Sequence, residues 1–168
     1  MPERQAERVF PGRPDQVRAA RGFVAAALEP EMPCYEAACL LTSEAVTNAL
    51  LHTASGSRAG RVVVSWSVRD GRLRVEIRDQ GGAGDPRRRV HHVESATGRG
   101  LDLFEALSAG WGFDGGPAGR TVWFELDLEG RSGSRGAPRR SLAAGAPRPQ
   151  PRPPRGGPPG GPTARLAV

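Results

Sequence analysis

The chain has 168 residues, enough for one domain with a buried core, and a formal net charge of +6. That charge is unevenly placed: through Glu129 there are 16 Arg against all 18 acidic residues, and beyond it eight Arg and no acid. The folded part therefore carries about −2, which argues against a basic groove and direct nucleic-acid binding by the domain.

In chain order, residues 5–10 predict a short strand ended by Pro11-Gly12. Asp15 is placed to cap a helix over 15–28, with Val17, Ala20, Val24, Ala27 and Leu28 at helical spacing. Pro30 and Pro33 break it, and a second helix is predicted over 34–53, with an apolar stripe of Ala37, Leu41, Ala45, Ala49 and Leu50. Cys34 and Cys39 match no metal or redox spacing and are expected to be buried thiols. After a turn at 55–57, Val62, Val64, Trp66 and Val68 alternate with polar residues, as do Leu73, Val75 and Ile77. Between these two strands, Asp70-Gly71 is a hairpin turn.

Residues 80–97 form a long loop without periodicity, and loops of that length in compact domains are usually functional. A helix over 99–108 carries Leu101, Phe104 and Leu107. Trp111 and Phe113 predict a strand, 115–119 a turn, and 121–128 a last strand with Val122, Phe124 and Leu126 on one face. Domain 1–129 then reads as α+β: a two-layer α/β sandwich with helices on one face of a mixed, mostly antiparallel sheet. In the remaining 130–168, 17 of 39 residues are Pro or Gly and none is aromatic, so a disordered tail is predicted. No apolar run of membrane length and no N-terminal leader pattern occurs, which predicts a cytoplasmic protein without a membrane partner.

Three motifs carry chemistry. Glu44, Asn48 and His52 are spaced by four and share one face of the second helix. An amide oxygen suits Mg²⁺, and a carboxylate one turn away can take a proton from a hydroxyl or water. Asp79-Gln80-Gly81 stands at the exit of a strand, where a carboxylate can accept from an exocyclic amine while glycine lets a flat ring pass close. Gly98-Arg99-Gly100-Leu101 opens a helix, and backbone N–H groups there favour phosphate. Taken singly, each also fits a plain structural role: an exposed helix face, an Asp-Gly turn, a helix start.

In this order, with these elements between them, the motifs resemble the ATP-binding (Bergerat-type) domain shared by gyrase, Hsp90, histidine kinases and MutL. Ser-Glu-Ala-Val-Thr-Asn-Ala followed by a His, and the closing Gly-Arg-Thr-Val-Trp-Phe-Glu-Leu, look most like the anti-sigma-factor serine/threonine kinases of actinobacteria. The resemblance covers about residues 8–128. It implies Asn48 as Mg²⁺ ligand and Glu44 as the catalytic carboxylate. It also implies Asp79 as reader of the adenine amine, with Gly81 giving room and Thr121 supporting that pocket. Gly98, Arg99, Gly100 and Leu101 would wrap the phosphates of ATP, and 82–97 would form a lid.

The implied partners are an anti-anti-sigma (STAS-type) protein, a sigma factor, and a second copy in a homodimer, with Arg18 and Arg21 of the first helix on the pairing surface. The chain departs from the pattern at Ala83, at Ala96, where such kinases can carry an arginine, and at Arg120, where a Lys is common. A non-catalytic, ATP-gated binding module is the alternative function. A histidine kinase fragment is a third, disfavoured because no phosphoacceptor helix precedes the domain.

Overall fold

The computed structural model describes residues 3–82, 100–116 and 118–129. The predicted lid apart from Gly82, together with Gly98, Arg99 and the tail, lies outside the described residues.

Five strands form a single sheet in the order β1-β2-β3-β5-β4: β1 Arg4–Pro11, β2 Arg61–Arg69, β3 Arg72–Arg78, β4 Gly110–Gly116 and β5 Gly119–Asp127. All four pairings are antiparallel. The β2–β3 hairpin closes through Asp70 at φ 49° and Gly71 at φ 73°. Two left-handed residues in a two-residue turn match the right-handed twist of the strands they join.

Among the described residues, three helices, α1 Gln16–Ala25, α2 Tyr35–His52 and α3 Gly100–Leu107, supply the second layer. One face of the sheet is apolar: Phe10, Val62, Val64, Val68, Leu73, Val75, Ile77, Phe124 and Leu126 are buried. They meet Ala20 and Val24 of α1, Ala38, Leu41, Ala45 and Ala49 of α2, and Phe104 of α3. The Phe104 ring lies 5.9 Å from Trp111 and 5.8 Å from Phe124, the latter edge-on. On the opposite face, Arg78 meets Glu7 across the strands and Arg74 binds Glu76 and Glu125. Charged pairs suit that face to water, and among the described residues the sandwich has two layers.

Two local expectations need correction. Asp15 stands before α1 but makes no capping bond; its carboxylate is held by Arg13 and Gln16 instead. Helix α1 ends at Ala25, not at 28. Ala27 and Leu28 continue in tighter three-residue turns, and Arg4 reaches from β1 to donate to the Ala27 carbonyl at 3.0 Å.

Candidate nucleotide-binding site

The end of α2 and the exit of β3 are fastened together. Thr53 Oγ1 donates to Ala49 O and accepts from the Ser55 N–H, which turns the chain into a short 3₁₀ segment, Ala54–Gly56. From this segment, Ser55 Oγ accepts the Gln80 N–H at 2.9 Å, and the Ala54 N–H donates to Gly81 O at 2.6 Å. Gln80 Oε1 accepts the Arg61 N–H at 2.8 Å, which ties the same junction to the start of β2. Ser55 is fully buried, and three glycines make its position possible. A Cβ on Gly12 would stand 1.7 Å from Ser55 O, one on Gly60 2.0 Å from the same atom, and one on Gly56 1.9 Å from Leu50 O. The helix that carries Glu44 and Asn48 is thus held in fixed relation to the strand end that carries Asp79.

Along α2 the predicted polar stripe grades in burial: Glu44 is half-buried, Asn48 buried at 6% exposure, and His52 exposed. Asn48 Nδ2 is buried and has no hydrogen-bond partner among the described residues. A buried amide N–H left without an acceptor is uncommon and calls for a ligand or water.

Asp79 is buried, its side chain 2% exposed. Oδ1 accepts the Gly81 N–H at 2.7 Å and the Arg120 N–H at 3.3 Å. The first of these bonds closes a small turn that places Gly81 at φ 67°, a conformation that favours glycine. Strand β5 runs close alongside: the Asp79 N–H donates to Arg120 O at 2.8 Å, and a Cβ on Gly119 would come within 3.1 Å of Asp79 O. Oδ2 faces Arg120 Nε at 3.4 Å. That separation is an ion pair, yet Nε lacks hydrogen-bond geometry to any partner among the described residues.

Of the sequence-derived site residues, Glu44 and Asn48 share α2, Asp79 and Gly81 share the β3 exit, and Gly100 and Leu101 form the first turn of α3. Gly98 and Arg99 lie outside the described residues. Thr121 stands one residue beyond Arg120 on β5. It pairs with Arg78, on the side of β5 opposite Val122, Phe124 and Leu126. The β5 residue at Asp79 is Arg120. Ser55 and Arg120 are the two contributors that motif reading missed, although strand alternation, which turns Val122, Phe124 and Leu126 inward, also turns Arg120 inward.

No three His, Cys, Asp or Glu side chains cluster to hold a metal among the described residues. No helix among them is long and apolar enough to cross a membrane.

The described residues thus hold a buried carboxylate at a strand exit with a glycine beside it, and a helix face with a carboxylate and an amide whose Nδ2 is unpaired. The chain belongs to the histidine kinase-like ATPase domain family, whose pattern it matches over residues 10–126. No curated protein matches it. Family membership implies binding of ATP, and the antiparallel five-stranded sheet with its helices is consistent with that fold.

Proposed function

We propose that the chain is an ATP-dependent serine/threonine protein kinase of the anti-sigma-factor type, which phosphorylates an anti-anti-sigma partner and so governs a sigma factor. The observation that carries the nucleotide part is the burial of Asp79 at the β3 exit and of Asn48 on α2, the latter with an Nδ2–H that has no acceptor among the described residues. The donor set fits Mg-ATP. Asp79 Oδ2 is an acceptor for an exocyclic amine; Asn48 Oδ1 would go to the cation, and the unpaired Nδ2–H would donate to a phosphate oxygen that arrives with it. A single protein ligand is enough for Mg²⁺, which keeps most of its coordination from waters and phosphates. Bound Mg²⁺ supplies neutralisation of the triphosphate charge.

Glu44, half-buried one turn before Asn48, is the group positioned to take the proton from an attacking Ser or Thr hydroxyl. The hydroxyl oxygen forms the new bond to the γ-phosphorus, the bridging bond to the β-phosphate breaks, and ADP leaves. Arg18 and Arg21 are exposed on α1 and supply the cationic part of the partner surface.

The test is transfer of γ-labelled phosphate from ATP to a candidate STAS-type protein, with wild type beside Glu44→Gln. Labelled substrate that disappears with the variant, while ATP binding persists, supports the kinase. Tight ATP binding with no transfer to any candidate favours the ATP-gated binding module, a reading motivated by Ala96 where such kinases can carry an arginine.

A further inference from the structure

Arg120 has no role in the reading above, yet its position is unusual. Its main chain exchanges two hydrogen bonds with Asp79, donating to Oδ1 and accepting from the Asp79 N–H. Its side chain, 15% exposed, turns back over the same carboxylate. At 3.4 Å from Oδ2 the guanidinium neutralises the charge, but Nε is buried without a directed acceptor among the described residues. A buried donor left unpaired costs more than the average hydrogen bond returns, so native proteins rarely keep one without use. Here the unspent donor stands beside a carboxylate oxygen, which makes a side-by-side donor and acceptor at the base of the candidate site.

We propose that Arg120 is a second reader of the base: Arg120 Nε donates to N1 of adenine while Asp79 Oδ2 accepts from the N6 amine. The inference rests on the nucleotide reading and adds to it a specificity residue. The Watson–Crick edge of adenine presents an acceptor next to an amine, the complement of this pair. Guanine reverses both groups, an N1–H donor beside an O6 acceptor, and sets donor against donor and acceptor against acceptor in the same pose. A site of this kind rejects the wrong base because its own buried groups are then left unpaired. The absence of a side chain at Gly119 lets β5 approach the Asp79 carbonyl closely enough to bring Arg120 there.

The experiment is calorimetric titration of the full chain with ATP, with 1-deaza-ATP, which lacks the N1 acceptor but keeps the amine, and with the purine riboside triphosphate, which lacks the amine. For wild type the loss of N1 is expected to weaken binding about ten- to a hundredfold, the worth of one charge-assisted hydrogen bond. Arg120→Met keeps the stem and removes the donor. It is expected to weaken ATP binding by a similar factor and to bind ATP and 1-deaza-ATP alike, while still discriminating against the analogue that lacks the amine. Equal affinity of wild type for ATP and 1-deaza-ATP overturns the role of Arg120, and so does a variant that keeps the N1 preference. The wild-type comparison decides even where the variant does not fold. If wild type binds ATP in an Asn48-dependent manner without N1 discrimination, only Arg120 loses its role. If it binds no nucleotide, the ATP reading falls and this one with it.

Discussion

Replacing Asp79 by Asn tests the junction of β3 and β5 apart from any ligand. The amide keeps the shape and one carbonyl oxygen, so the Gly81 and Arg120 N–H groups retain an acceptor. Both bonds lose their charge assistance, and the new NH₂ turns a donor toward Arg120 Nε where a carboxylate oxygen stood 3.4 Å away. Removal of one partner of a buried pair costs about 3–5 kcal/mol, because the remaining charge is uncompensated. The 15% exposure of Arg120 lets water reach part of the guanidinium, which places the cost near the lower end, about 3 kcal/mol. For a domain of this size about 1 kcal/mol moves the midpoint by roughly 4 °C, so a fall of roughly 12 °C is expected. Thermal unfolding followed by circular dichroism at neutral pH and low salt reads it directly. Arg120→Met in the Asp79→Asn background is expected to recover about 1–2 kcal/mol, since the orphaned cation is gone. A midpoint within about 2 °C of wild type, or strictly additive single and double variants, would refute the account of a buried, coupled pair.

The knot around Ser55 makes a sharper steric claim. Gly12→Ala forces a methyl to 1.7 Å from Ser55 O and is expected to cost about 3 kcal/mol or more. Gly22→Ala, with nothing among the described residues within 4 Å of the added methyl and a helical backbone, is expected to stabilise by about 0.5–1 kcal/mol. Urea titration of the two variants side by side checks both signs. Burial pushes the thiol of Cys34 up, and burial followed by the charge of Glu36 does the same for Cys39. Both are therefore expected to react slowly with iodoacetamide at neutral pH, the buried Cys34 more slowly than the half-buried Cys39. Because the folded values are raised, their share of stability is present at neutral pH and is lost as pH climbs above the ordinary thiol range. Denaturation midpoints that rise with alkaline pH would contradict this.

Much of the fold is legible in the sequence, for identifiable reasons. The β2–β3 hairpin declares itself because alternation at Val62, Val64, Val68, Leu73, Val75 and Ile77 and the Asp70-Gly71 turn are local signals that agree. The end of α1 is misjudged because Ala27 and Leu28 keep helical spacing, while the contact that captures the Ala27 carbonyl comes from Arg4, 23 residues earlier. Asp15 fails as a cap because Arg13 and Gln16 compete for its carboxylate at close range. In the candidate site, Glu44, Asn48, Asp79 and Gly81 stand out because helical spacing and a strand-exit Asp-x-Gly are short-range patterns. Arg120 belongs to Asp79 through a pairing across 41 residues, and one step of register separates it from Thr121. Ser55 escaped notice because a Ser-Gly-Ser turn looks the same whether its hydroxyl meets water or the Gln80 N–H.

The central claim is that Asn48 and Asp79 enclose a nucleotide site. Calorimetric titration of Mg-ATP into the full chain, wild type beside Asn48→Ala, tests it most directly. The account predicts one site per chain, binding that requires Mg²⁺, and loss of that binding in a variant whose thermal midpoint stays within a few degrees of wild type, since Asn48 Nδ2 has no partner to lose among the described residues. Absence of binding in wild type, or undiminished binding by a folded Asn48→Ala protein, would contradict it.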